Sequence, residues 1–213
     1  MRARLSSVVA LTAVAALAAA PAAHAQALGL PVINSGIHTG IGIAGDVGFA
    51  NSDFGKGTTF GATGMLGVGP IGFTATVASY NPKAPGNSIT SYGGTANLRI
   101  FGLPLAPISI TAQAGFAHAK VGGQGYDHLP IGIGIAFRIP TPAFSLKPWI
   151  APRVDIVHAS QTRTKFGISA GLDLGTLAGL GVRASYDWLK EDNGVRPGIF
   201  GLGLLWSFKV PGL

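Results

Sequence analysis

Between residues 180 and 188, apolar Leu180, Val182, Ala184, Tyr186 and Trp188 alternate with Gly181, Arg183, Ser185 and Asp187. A period of two puts the two sets on opposite faces of a β-strand and excludes a helix, whose period is about 3.6 residues. The pattern recurs over 165–174, where Phe166, Ile168, Ala170, Leu172 and Leu174 oppose Gly167, Ser169, Gly171 and Asp173. It recurs again over 200–210, where Phe200, Leu202, Leu204, Trp206, Phe208 and Val210 oppose Gly201, Gly203, Leu205, Ser207 and Lys209. One face is apolar throughout, and the other holds glycine, hydroxyls and charges. A soluble sandwich also alternates, burying its apolar face between sheets. Segments of about ten residues with a polar face of small side chains fit a barrel in lipid better.

Composition agrees. The 213 residues are 47% hydrophobic and only 11% charged, against a usual charged share of about 25%. Thirty-three glycines are roughly twice the usual share of about 7%. So few charges, with a mean hydropathy of +0.43, exclude a disordered chain and leave too little polar surface for an ordinary soluble domain. The uncharged stretch 57–82 is long enough to span as a helix. It nevertheless carries glycine at 57, 61, 64, 67, 69 and 72, Pro70 and five threonines, and Phe60, Ala62, Gly64, Leu66 and Val68 share one strand face.

The N-terminus has the form of a secretory signal. Met1-Arg2-Ala3-Arg4 is basic, 5–20 is apolar, and Ala23-His24-Ala25 offers a small-x-small cleavage site before Gln26. The expected organisation is therefore a signal peptide over 1–25 and a barrel domain over 26–213. Removing 25 of 213 residues leaves 188, with net charge +5 because Arg2 and Arg4 leave with the signal. No cysteine occurs, so disulfides and thiolate metal sites are excluded.

Ten strands are predicted: 36–50, 58–69, 71–80, 88–101, 108–119, 129–139, 148–158, 165–174, 180–189 and 198–208. The fold class is all-β, a closed antiparallel up-and-down transmembrane β-barrel. Closure is required because an open edge in lipid leaves backbone groups unpaired. Eight strands are the alternative, reached if 58–69 and 71–80 are misread. The odd-numbered connections, 51–57, 81–87, 120–128, 160–164 and 190–196, are polar and charged, whereas the even-numbered ones carry one charge among them. That split places both termini in the periplasm and the polar loops outside. Phe49, Phe60, Tyr80, Tyr92, Phe116, Phe166, Tyr186 and Trp188 then fall near the outer strand ends. Phe73, Phe101, Phe137, Trp149, Trp206 and Phe208 fall near the inner ends, giving two interfacial girdles.

Gly203-Leu204-Leu205-Trp206-Ser207-Phe208 resembles the C-terminal signature of bacterial outer-membrane β-barrel proteins, a glycine followed by aromatics at spacings of three and five. The resemblance implies that Gly203, Trp206 and Phe208 form an assembly signal read by the barrel assembly machinery. The family pattern ends on its final aromatic, whereas here residues 209–213 follow. As a whole the mature chain resembles small barrels of the OmpA, OmpW and opacity-like kind, which implies an outer-membrane location.

Strand parity turns Asp46, Arg99, Arg138, Arg153, Asp155, Asp173, Arg183 and Asp187 inward, with His38 and Gln113. Four arginines and four aspartates cancel, so the lumen has no net sign. Opposite charges on neighbouring strands should pair, because an unpaired buried charge is costly. Such a network either plugs the barrel or forms the polar constriction of a narrow solute channel. The excess charge sits at the rims. Lys56, Lys83, Lys120, Arg163, Lys165, Lys190 and Arg196 with Asp53, Asp127, Glu191 and Asp192 give +3 outside, and Lys147 and Lys209 give +2 inside. The expected partners of the outer cations are outer-membrane lipids, lipopolysaccharide phosphates above all. Nucleic acid is not expected despite a pI near 10.1, since there is no basic helix or aromatic stacking motif.

Catalytic readings find little. His158-Ala159-Ser160 resembles the His-x-Ser pair of lipid A deacylase barrels, but the carboxylate a triad needs is missing. Tyr126-Asp127-His128 resembles the Asp-His couple of omptin proteases without an opposing acidic pair. The histidines show no metal-ligand spacing, and neither metal nor other cofactor is expected. The chain is read as non-enzymatic, with its oligomeric state open. The glycine count becomes a question about the lumen: fifteen strand glycines face inward by parity and only Gly45, Gly64 and Gly94 outward.

Overall fold

The computed structural model describes residues 40–102, 107–176, 178–191 and 194–208. The expected signal peptide, residues 36–39 of the first strand, His38, Asp192 and the tail from Lys209 lie outside these residues.

Alternation becomes strands along the whole described chain. They are β1 (Gly40–Ala50), β2 (Gly57–Val68), β3 (Ile71–Pro82), β4 (Ile89–Phe101), β5 (Ile108–Val121), β6 (Gln124–Phe137), the two-residue β7 (Ile139–Pro140), β8 (Phe144–His158), β9 (Thr162–Thr176), β10 (Leu180–Lys190) and β11 (Gly198–Phe208). Apart from the short β7, each pairs antiparallel with the long strands next to it in sequence. β1 pairs with β11, β6 pairs with β8, and β7 continues β6 along the end of β8, so ten long strands close into a barrel. The eight-strand alternative is overturned: 58–69 and 71–80 form β2 and β3, in unbroken register from Gly57↔Pro82 to Val68↔Ile71. Their glycines and threonines weaken the apolar signal without altering the two-residue period.

Two boundaries differ most from expectation. Residues 120–128, expected to be a long outer loop, form the end of β5, a two-residue turn and the start of β6. Gly122 and Gly123 both have positive φ, 57° and 89°, which a tight hairpin turn requires, and Val121 pairs directly with Gln124. β8 starts at Phe144 rather than 148, and Pro148 and Pro152 lie within it. The missing proline N–H groups leave a mark. The β8–β9 register runs unbroken from Phe144↔Thr176 to His158↔Thr162, whereas the β6–β8 register is interrupted between Gly132↔Arg153 and Ile135↔Ile150, at Pro152.

The apolar face points outward. Ile43, Phe60, Ile100 and Leu204 are 53–69% exposed, an arrangement that water would penalise and lipid does not. The expected girdles hold for most of their aromatics. Tyr80 and Trp149 are the exceptions, for both turn inward and are buried. Each lies over an inward glycine: a Cβ on Gly57 would sit 2.5 Å from the Tyr80 ring, and one on Gly171 2.4 Å from the Trp149 ring.

Candidate functional site

The lumen is filled in three layers. At the end expected to face outside, the chain after β1 folds back over the barrel mouth. Asn51 Oδ1 accepts from the backbone N–H of Phe54 (2.9 Å) and of Gly198 (3.1 Å), and Asp53 Oδ2 accepts from Arg196 N–H (2.9 Å). These bonds tie the first outer loop to the last. They hold Phe54 edge-on against Tyr80, ring centroids 5.4 Å apart, in a cluster with Ala78, Leu189 and Ile199. The Tyr80 hydroxyl donates to the Lys56 carbonyl at 3.0 Å. The result is an apolar cap.

Below the cap lies a buried charge network. Arg153, 4% exposed, donates from Nε to Asp155 Oδ2 at 2.7 Å. Its Nη1 and Nη2 reach Asp187 Oδ1 and Oδ2 at 2.5 and 2.9 Å, and Nη1 also meets Ser169 Oγ at 2.8 Å. Asp187 is on β10, two strands from Arg153 on β8. The guanidinium crosses β9 above Gly167, where a Cβ would come within 2.9 Å of Arg153 Cζ. The Ser169 hydroxyl donates to Asp187, and Lys165 donates to Glu191. Lys165 is also the register partner of Asp155, so opposite charges alternate across β8, β9 and the end of β10. A charge so buried is tolerated only while paired.

The third layer is at the inner end. Arg183 binds Asp173 through two bonds, Nε–Oδ1 at 2.7 Å and Nη2–Oδ2 at 2.9 Å, and lies 5.8 Å from the centre of the Trp149 ring. Trp149 Nε1 donates to Asp173 Oδ1 at 3.0 Å, and Lys147 Nζ stands 3.4 Å from Asp173 Oδ2. Asp46 lies over Gly203, within reach of the Arg183 charge.

Of the eight inward residues named from sequence, Arg153, Asp155 and Asp187 meet in the middle layer, and Asp46, Asp173 and Arg183 in the inner one. Arg99 stands apart at the inner rim, donating to the Gly69 carbonyl at 3.2 Å. Arg138 is exposed at the inner mouth. Gln113 is buried on β5. Sequence reasoning missed Lys147, Lys165 and Glu191, which had been placed at the rims. They add two positive charges and one negative, so the lumen set carries +1 rather than zero. Their signal was available: Lys147 shares its parity with Arg153, and Lys165 with Gly167 and Asp173. His128, read as a loop residue, is on β6 and 1% exposed.

The motifs weighed for chemistry are dispersed. His158 Nδ1 bonds Thr162 Oγ1 at 2.8 Å. Asp127 pairs with Nδ1 of His118, not with His128, at 2.7 Å, and Tyr92 lies against that imidazole. Among the described residues no cluster of His, Asp and Glu is arranged to hold a metal ion. Gly203, Trp206 and Phe208 lie on the strand that closes onto β1, the two rings facing outward with centroids 5.7 Å apart.

Residues 9–208 match the family described as Outer membrane protein beta-barrel domain. No curated protein matches the chain in sequence. Among solved structures, the β domain of the Bordetella autotransporter BrkA is similar at TM-score 0.57 and 14% identity, covering 80% of this chain and 100% of that one. Neisserial surface protein A is similar at TM-score 0.41 and 13% identity, covering 80% and 98%. The N-terminal barrel of Pseudomonas aeruginosa OprF is similar at TM-score 0.39 and 16% identity, covering 79% and 98%. At these identities the BrkA likeness speaks to fold alone.

Proposed function

The chain belongs to the outer membrane protein β-barrel domain family, a family of the bacterial outer membrane, and on that premise we propose that it is a closed-lumen barrel with a structural or surface-interaction role. The observation that carries this reading is the stacking of the Phe54–Tyr80 cap on the Arg153 network. A passage for solutes would have to cross an apolar layer and then a set of charges already bonded to one another, and each layer would have to open. Closure of this kind leaves the outer rim as the working surface. Lys56, Lys83, Lys120, Arg163, Lys190 and Arg196 are exposed there, and they supply the cations that lipopolysaccharide phosphates require. Export by the N-terminal signal, with cleavage near Ala25, and assembly through Gly203, Trp206 and Phe208 complete the reading.

No catalytic step is assigned. The His158 nitrogen that a carboxylate would orient is bonded to Thr162, and Asp173, the acid next in sequence, is held by Arg183 at the inner end of the barrel.

Planar-bilayer recording of the refolded protein tests the proposal. Absence of discrete current steps across salt and pH is the expected result. Regular steps with a defined unit conductance would replace it with the narrow-channel reading.

A further inference from the structure

Six positions at the inner end share one cross-strand row: Arg138, Lys147, Asp173, Arg183, Gly203 and Asp46. Lys147 is the register partner of Asp173, Asp173 of Arg183, Arg183 of Gly203, and Gly203 of Asp46. The pairing Ile139↔Leu146, carried one step back, sets Arg138 opposite Lys147. The charges along the row therefore run plus, plus, minus, plus, none, minus. Like charges directly opposite one another across a strand pair repel.

The one nearby carboxylate does not resolve this. Both oxygens of Asp173 are engaged by Arg183, and Oδ1 also by Trp149, leaving Lys147 the longer contact of 3.4 Å. Among the described residues no carboxylate is set against Arg138. Its guanidinium is near enough for its charge to act on Lys147. Both side chains line a cavity of about 230 Å³ that also includes Ser145, Arg183 and the Asp173 carboxylate bound to it. That is room for about seven waters at ~30 Å³ each. The space suits a compact anion.

We propose that this vestibule is a binding site for a phosphate group presented from the periplasmic side. An arginine fork beside a lysine point charge, with the Ser145 hydroxyl as a further donor, is a donor set matched to phosphate oxygens. Bound there, the anion replaces the missing negative charge between Arg138 and Lys147. The inference borrows from the closed-lumen reading only the dead end above the site. Conductance tests that reading, and the binding experiment tests this one.

The test uses the full chain refolded in zwitterionic detergent. Inorganic phosphate is titrated by calorimetry against chloride at matched ionic strength, and the thermal midpoint is followed in parallel. Saturable binding is expected, weakened at least tenfold in R138A and in K147M. A sign reversal is also expected. Without phosphate, R138A melts at or above the wild-type temperature, because a repulsion has been removed; with phosphate it melts below. Repetition in phosphatidylcholine nanodiscs, with and without phosphatidylglycerol, assigns the source. Competition by phosphatidylglycerol beyond that of phosphatidylcholine, which carries a phosphate of its own, identifies an anionic headgroup, and its absence a free solute. No saturable binding beyond that of chloride, or equal binding by wild type and R138A, overturns the proposal. If K147M does not fold, R138A, altered at an exposed position, decides alone.

Discussion

The two walls of the lumen solve the same problem differently. The wall formed by β2–β5 is lined by Thr59, Thr63, Thr74, Thr76, Ser91, Thr95, Asn97, Thr111 and Gln113, all neutral, with Arg99 at its inner rim the exception. Its side-chain bonds include Thr63–Thr76 at 2.9 Å and Thr74–Thr95 at 2.6 Å, each between register partners on adjacent strands. The wall formed by β8–β10 carries Lys147, Arg153, Asp155, Lys165, Asp173, Arg183 and Asp187, and Arg153 there reaches past β9 to Asp187 on β10. A hydroxyl pair stands alone, and losing it costs little beyond itself. A guanidinium that serves Asp155, Ser169 and Asp187 at once makes the middle layer of the charged wall a single unit. Long side chains can lie along that wall because glycines punctuate it.

Substitutions should therefore act unequally on the two walls. Arg153→Met strands Asp155 and Asp187 in a dry interior and should cost about 3–5 kcal/mol in urea unfolding from lipid vesicles. Gly167→Ala should come next, at about 1–3 kcal/mol, because its Cβ meets Arg153 Cζ and Leu189 Cδ1 at 2.9 Å each and both side chains must shift. On the neutral wall, Thr74→Val removes the bond to the Thr95 hydroxyl and the one accepted from Thr95 N–H, and should cost only about 1–2 kcal/mol. If Thr74→Val proves as damaging as Arg153→Met, the distinction between the walls fails. The smallest effect should have the opposite sign. Gly64 faces lipid with nothing within 4 Å of an added Cβ, so Gly64→Ala should be neutral or stabilise by up to about 1 kcal/mol. A further contrast lies within the charged wall itself. Amide exchange should be faster along the β6–β8 seam, interrupted at Pro152, than along β8–β9, and equal protection would remove any structural consequence of that proline.

The barrel was legible because its determinant, a two-residue period, is local and survives unusual composition. Even β2 and β3, poor in large apolar residues, kept their faces apart. The Lys120–His128 boundary was not legible, since a glycine pair between two polar stretches reads as a loop until Val121 is seen to pair with Gln124. Parity assigned faces but not depth. Tyr80 and Trp149 share the parity of inward Thr76 and Arg153 yet looked like girdle residues because they lie near strand ends, and their packing over Gly57 and Gly171 shows what they fill. Lys165 and Glu191 looked like rim charges for the same reason. Which charges meet depends on register, a long-range property: Arg153 finds Asp187, thirty-four residues away, across an intervening strand.

Single-channel recording of wild type beside the double variant R153A/R183A tests most directly whether the charged wall closes the lumen. The expected result is a silent wild type and a variant that shows current steps together with a lowered thermal midpoint. A wild type that already conducts, or a variant as silent and as stable as wild type, would contradict it.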